Sequence, residues 1–464
     1  MLFDIEQKPV SALAAIDDGG GRLTYGELLA LRKELASHLP ERELVFCLCE
    51  NKVGSLAGFV TLYDNKDVCL LINAAIDRGL LDNLRETYRP SYYWMPESKS
   101  ADFGFEIIMH YKDSVLCKTG DKAPEMHPEL SLLMTTSGTT GSPKLVRHKY
   151  GNVESNAQNV AKAFGWTPDE RGIIDLPMQY TMGLNVICSH LQAGATVLLV
   201  AANLMHPKYW QFIKEQKGTN FTGVPFSYEI LNRLRFFRMD LPYLTTMAEG
   251  GGKLSDTLFA AFANYADEKG KRFFATFGTT ETTARLAFLS PEKATQKCGS
   301  IGKAIPEGKL YLVDENGNEI TQPNIEGELI YEGPNVTMGY ATSIEDLVQG
   351  DEFCGVYHTG DIAKMDEDGC FYIVGRMKRF LKLFGLRVSL DQSERIISEH
   401  FGIECACTGD DAKMRIYITK EELKDEVKKL ISEKTGLIST LFEVNYIEAI
   451  PRFESGKINY TQLT

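Results

Sequence analysis

Residues 135–144 read Thr135-Thr136-Ser137-Gly138-Thr139-Thr140-Gly141-Ser142-Pro143-Lys144, a run of hydroxyls and glycines closed by one ammonium. Small side chains of this kind leave backbone N–H groups free to surround a polyphosphate, with the lysine adding positive charge. The spacing between Gly138 and Lys144 does not fit GxxxxGK[ST], which disfavours a Walker-type kinase or NTPase. By composition alone the run is a phosphate loop or simply a Ser/Thr/Gly loop. Four further groups carry chemistry-bearing side chains: Phe277-Gly278-Thr279-Thr280-Glu281, Tyr357-His358-Thr359-Gly360-Asp361, Gly375-Arg376-Met377-Lys378-Arg379 running on to Lys382 and Gly385, and PRFESGK from Pro451 to Lys457. Taken singly, each has an ordinary reading: a solvated glutamate, an aspartate in a turn, a basic surface patch, a solvated lysine.

The elements that must hold these groups can be read from periodicity. ELVFCLC (43–49), VCLLIN (68–73), GATVLLV (194–200) and KRFFATF (271–277) are short apolar runs of buried-strand length. TYGELLALRKELASHL (24–39) and TLFAAFANYADEKG (257–270) repeat apolar residues at helical spacing. Strands alternating with helices predict α/β architecture with mostly parallel sheets. From about 305 the texture changes to short alternating strands with the turn signals ENGN and DEDG, a β-rich subdomain over 305–377. After Gly375 the chain turns basic, and EELKDEVKKLISEKTG (421–436) is an amphipathic helix with a glycine stop. The expected division is a large N-terminal domain, 1–377, and a small α+β C-terminal domain, 378–464.

At 464 residues the chain exceeds the size at which one core stops growing, so more than one domain is expected. Its net charge of -13 argues against nucleic-acid binding, which needs a dominant basic surface. No stretch approaches the roughly 18 apolar residues of a membrane span, and the first twenty residues lack a basic-then-apolar leader, so a cytoplasmic location without membrane insertion is expected. The ten cysteines and eight histidines show neither paired CxxC nor HExxH spacing, which predicts reduced, buried thiols and no transition-metal site.

The string TSGTTGSPK, with the four later groups in the same order and approximate spacing, resembles the adenylate-forming (AMP-binding) superfamily of acyl-CoA and aryl-CoA ligases, peptide-synthetase adenylation domains and luciferases. LTYGEL (23–28), LPMQYTMGL (176–184) and GVP (223–225) extend the resemblance over nearly the whole chain. It implies ATP-dependent activation of a carboxylic acid to an acyl-AMP with release of pyrophosphate, then transfer to a phosphopantetheine thiol, of coenzyme A or of a carrier protein acting in trans. In site terms it implies that Thr136, Ser137, Gly138, Thr139, Thr140, Gly141 and Lys144 hold ATP phosphates. Phe277 stacks on adenine, where the family usually has tyrosine, alongside Gly278 and Thr279. Thr280 bonds the α-phosphate and Glu281 holds magnesium. Asp361, an acceptor-only carboxylate, takes the ribose hydroxyls with help from Arg376. Lys457 is the catalytic lysine, placing its ammonium where charge develops during attack on the α-phosphorus. Lys378 is the hinge about which the small domain rotates, and Lys382 and Gly385 belong to the segment lining the thiol tunnel.

The carboxylate pocket is expected at Tyr180, Thr181, Gly251 and Gly252, the glycines lying in MAEGGGKL (247–254). Amino-acid-activating relatives carry an aspartate where this chain has Thr181, and a neutral threonine leaves a buried ammonium unpaired. An acid without an α-amino group is therefore expected, unless Asp175 or Glu249 supplies the charge. The alternatives are an amino-acid:carrier-protein ligase, a luciferase-like oxygenase and a non-catalytic nucleotide-binding relative. Retention of Lys144, Thr280, Glu281, Asp361, Arg376 and Lys457 together argues against the last.

Overall fold

The computed structural model describes residues 2–40, 42–135, 144–383, 386–453 and 456–463, with the side chains of Lys378 and Arg387 outside the description. The first long helix, Tyr25–His38, begins at Thr24. The Thr24 hydroxyl accepts from the Glu27 N–H at 3.1 Å and the Glu27 carboxylate accepts from the Thr24 N–H at 2.7 Å, a reciprocal capping box. Tyr25, Leu28, Leu31 and Leu35 form its buried stripe.

Two large sheets form the body. The nine-stranded sheet runs Lys303–Ala304, Ala284–Leu289, Arg272–Thr279, Thr246–Glu249, Asn220–Gly223, Arg171–Ile174, Thr196–Leu199, Leu13–Asp17, Arg22–Thr24. Its pairings are parallel from Arg272–Thr279 to Leu13–Asp17 and antiparallel at both ends. The eight-stranded sheet is parallel only across its middle, Leu130–Thr135, Val68–Asn73, Leu44–Cys49 and Tyr92–Pro96. Antiparallel strands extend both of its edges, because a hairpin needs only a short turn where a parallel neighbour needs a crossover. Every residue of Leu44–Cys49 is buried, which is why that strand reads as an unbroken apolar run.

The β-rich segment is a five-stranded antiparallel sheet between Lys309 and Arg376. Its turns are set locally. Asp314 accepts from the Asn316 and Asn318 N–H groups, Asp366 from those of Asp368 and Cys370, and Gly317 and Gly369 take the positive φ each turn requires.

Beyond it lie a hairpin, Phe380–Leu383 with Leu386–Ser389, the helices Leu390–Phe401 and Lys424–Thr435, and a three-stranded sheet. Gly436 ends the second helix in the left-handed conformation. Residues from Leu381 to Phe442 make an apolar cluster of their own. All ten cysteines are unpaired, eight of them buried, while Cys354 is exposed. No helix among the described residues is long and apolar enough to cross a membrane.

Candidate active site

The parallel strands of the nine-stranded sheet end at Ile174, Gly223 and Glu249, and the longer Arg272–Thr279 strand runs past them. Off their carboxyl ends opens a cavity of about 390 Å³, the usual place for a ligand in a sheet of this type. Thr135, Tyr180, Thr181, Gly251, Gly278, Thr279, Thr280 and Lys457 line it, so groups more than 300 residues apart in sequence meet there.

Tyr180 precedes the Thr181–Ala193 helix without making a side-chain cap, and this helix N-terminus opens on the cavity with its partial positive charge. A Cβ at Gly183 would sit 2.4 Å from the Pro177 carbonyl oxygen, so only glycine permits the chain to turn from LPMQY into the helix. Thr181 Oγ1 lies 2.9 Å from Thr280 Oγ1, tying the expected carboxylate pocket to the expected phosphate contact. Gly278 is held more tightly still: a Cβ there would meet the Ala284 carbonyl oxygen at 1.5 Å. Gly251 has φ +78°, and a Cβ on it would approach Met182 Cε to 2.9 Å, while Gly252 is exposed.

Glu281 follows on the short turn Thr280–Thr282. The Tyr340 hydroxyl donates to its Oε1 at 2.8 Å, and the Lys144 ammonium sits 3.2 Å from the centre of the same tyrosine ring. Tyr340 thus joins the end of the phosphate loop to the expected metal ligand. Thr136, Ser137, Gly138, Thr139, Thr140, Gly141, Ser142 and Pro143 lie outside the described residues.

Asp361 and Arg376 face each other on adjacent antiparallel strands, Nε to Oδ1 at 3.2 Å. Burial pushes the Asp361 carboxyl up to about 6 against the opposing pull of Arg376, leaving it an anionic acceptor at neutral pH. Phe277 is half-buried and packs against the apolar cluster beneath the five-stranded sheet.

Lys457 enters on a tight reversal in which Arg452 and Ile458 pair, the Phe453 N–H donates to the Lys457 carbonyl at 2.8 Å, and Gly456 has φ +78°. Gly456 rests against Phe226, where a Cβ would meet Phe226 Cβ at 3.0 Å. Lys457 keeps solvent-exposed surface. The surrounding protein nevertheless lowers its pKa, as does Arg376, while Glu281 and Asp361 oppose that shift. The ammonium therefore shares one electrostatic environment with residues of three separate motifs.

Among the described residues, Lys144, Gly252, Phe277, Glu281, Asp361 and Arg376 do not themselves line the cavity, and neither does Lys382. Lys382 is exposed on the Phe380–Leu383 strand, its N–H donating to Asp411 at 2.8 Å. The Lys378 backbone lies in the Met377–Arg379 turn, and Gly385 is outside the described residues. Lys253, which closes the MAEGGGKL run with Leu254, is an exposed surface charge 4.0 Å from Asp256.

Sequence reading missed Tyr340, which sits 59 positions from the glutamate it contacts, and Arg285, which lines the cavity. For Arg285 a signal existed, a basic residue four positions after Glu281 on the same hairpin.

Two acidic groups near the cavity are enclosed. Asp175 accepts from the Tyr209 hydroxyl at 3.3 Å through Oδ2, its Oδ1 has no partner, and burial pushes it up to about 7. Glu249 Oε2 has no partner either, and burial pushes that carboxyl from its ordinary 4.5 up to about 8. The folded protein therefore keeps a proton on Glu249 that the unfolded chain releases. Its contribution to stability is full below pH 4.5 and is lost as pH climbs toward 8. Glu249→Gln, which cannot titrate, is expected to gain in melting temperature over the parent by a margin that grows across that window. A margin flat with pH would contradict the assignment.

Residues 68–341 match the family model described as AMP-binding enzyme. The chain is 28% identical over 379 residues to an oxalate–CoA ligase of Arabidopsis thaliana, covering 77% of this chain and 71% of that protein. It is 29% identical over 463 residues to a 2-succinylbenzoate–CoA ligase of Bacillus cereus, covering 93% of each. Its fold superimposes on the O-succinylbenzoate coenzyme A synthetase of Bacillus subtilis in complex with AMP, with TM-score 0.80 and 22% identity over 99% of this chain and 96% of that one.

Proposed function

The chain belongs to the AMP-binding enzyme family, and from that premise we propose that it is an AMP-forming acid–thiol ligase acting on a small carboxylic acid and coenzyme A. The observation that carries this reading is the meeting of Lys457 with Thr181 and Thr280 in one cavity. A substrate carboxylate held at Tyr180, Thr181 and Gly251 attacks the α-phosphorus of ATP. The bond to the β-phosphate oxygen breaks, pyrophosphate leaves, and an acyl-AMP forms. Thr280 donates to the α-phosphate, and Lys457 offsets the negative charge that builds on the transferring oxygens. Phe277 supports adenine from one face, and Asp361 with Arg376 takes the ribose hydroxyls. Thr136 to Gly141, with Lys144, take the outer phosphates.

Magnesium fits the donor set. Glu281 and the hydroxyls of Thr279 and Thr280 are hard oxygen donors, the ligand type that magnesium takes together with phosphate oxygens and water. When bound, it would neutralise phosphate charge at Glu281.

In the second step the thiolate of coenzyme A attacks the acyl carbonyl, the bond to the AMP oxygen breaks, and thioester and AMP are released. Residues 378–464 rotate as a unit about Lys378 between the two steps, bringing Lys382 and Gly385 to the thiol path. Two features support this motion: the separate apolar cluster of the C-terminal part, and the solvent-exposed character of its ion pair to the large part, Arg233 with Glu404 at 3.9 Å. Thr181, already bonded to Thr280, and the burial-raised Asp175 and Glu249 favour an acid without an α-ammonium group. Unpaired cysteines throughout accord with the cytoplasm as the working compartment.

The test is pyrophosphate release from ATP and magnesium across fatty, aryl, hydroxy and amino acids, with and without coenzyme A. Multiple turnovers with one acid and coenzyme A are expected. Release that stops after one turnover would move the acceptor to a carrier protein, and release only with amino acids would overturn the substrate class.

A further inference from the structure

Arg285 leaves the Glu281 turn on strand Ala284–Leu289 and lines the same cavity, yet only 2% of its surface is exposed. Nη1 donates to Asn185 Oδ1 and Nη2 to Thr222 Oγ1, both at 3.1 Å, and the guanidinium lies 4.8 Å from the Phe164 ring centre. Nε has no partner. Every one of these neighbours is neutral, and no described carboxylate pairs with it. Burial lowers its pKa to about 10, which still leaves it fully cationic at neutral pH. Among the described residues the other arginine buried to this degree, Arg147, has Glu352 at 3.1 Å and donates to several backbone carbonyls. A buried cation without a counter-charge is costly. Arg285 is such a cation, and it stands at the wall of a substrate cavity. Each Nη nitrogen carries two N–H groups and donates to one acceptor, so donors remain for a further oxygen.

We propose that Arg285 is the specificity residue that receives a second anionic group of the acid substrate, so that the enzyme selects a dicarboxylic acid over its mono-acid analogue. This rests on the ligase reading of the cavity. One carboxylate of the substrate lies at Thr181 and Lys457 and becomes the mixed anhydride. The other stays ionised against the guanidinium, supplying the missing charge and forming charge-assisted hydrogen bonds. A pocket that loses a partner for a buried donor discriminates strongly, whereas one that merely gains or loses a methylene does not.

The experiment is ATP–pyrophosphate exchange by the full chain on matched pairs, aliphatic and aryl dicarboxylic acids against their monomethyl esters. The wild type is expected to favour at least one diacid over its ester by about 100-fold or more in kcat/KM. Arg285→Met is expected to bring that ratio to within about tenfold by raising KM for the diacid, with Arg285→Lys in between. Melting curves accompany both variants. If Arg285→Met does not fold, the wild-type ratio decides by itself. A wild type that treats each pair alike overturns the proposal, as does a folded Arg285→Met that melts lower but keeps the ratio, since arginine would then serve only to clip the strand to the Thr181–Ala193 helix. Silence toward every acid overturns the ligase reading instead, and this proposal with it.

Discussion

Lys457→Ala is expected to slow acyl-AMP formation by about 10²- to 10³-fold, the effect of removing one preorganised charge from a developing oxyanion. Transfer from supplied acyl-AMP to coenzyme A should change little. The asymmetry follows from placement. The lysine enters the cavity on the Arg452–Ile458 reversal and shares its field with Glu281, Asp361 and Arg376, all of them candidates for contact with ATP. In the proposed cycle the C-terminal part rotates once pyrophosphate has left and carries the lysine out. Alanine removes the charge without disturbing Gly456, whose left-handed backbone and contact with Phe226 shape the reversal. The two half-reactions are measured separately, the first by pyrophosphate exchange and the second by thioester formation from synthetic acyl-AMP. Equal loss in both would remove the adenylation-specific role.

Glu281→Gln is expected to raise the magnesium concentration needed for half-maximal exchange and to lower kcat/KM for ATP by about 100-fold. Glutamine keeps the shape and an Oε1 acceptor for the Tyr340 hydroxyl, so the 2.8 Å bond that anchors Tyr340, and through its ring the Lys144 ammonium, can persist. What is lost is the anionic oxygen ligand. A magnesium titration of the folded variant that overlays the wild type would remove Glu281 from the metal site, whereas Tyr340→Phe should show a milder shift because the carboxylate survives and only its orientation loosens.

Features whose cause lies within a few residues were legible in the sequence. The Asp314 and Asp366 turns with their glycines, the Gly436 stop and the runs of buried strands each follow from local hydrogen bonding or from the pattern of apolar side chains. The motif series was recognised through its resemblance to the adenylate-forming superfamily, since each group taken singly has an ordinary reading. What the tertiary structure alone decided is which of these groups share a cavity and which neighbours tune them. Thr181 meets Thr280 across 99 positions, Tyr340 reaches Glu281 across 59, and Lys457 arrives from the other end of the chain. Arg285 shows the difference most sharply. In sequence it is one arginine after FGTTETTA. Its meaning as an uncompensated buried cation depends on Asn185, Thr222 and Phe164 being its neighbours, and on no described carboxylate being among them. Burial and charge compensation are properties of three-dimensional surroundings, set by how sheets and helices from distant segments pack, and no local pattern encodes them.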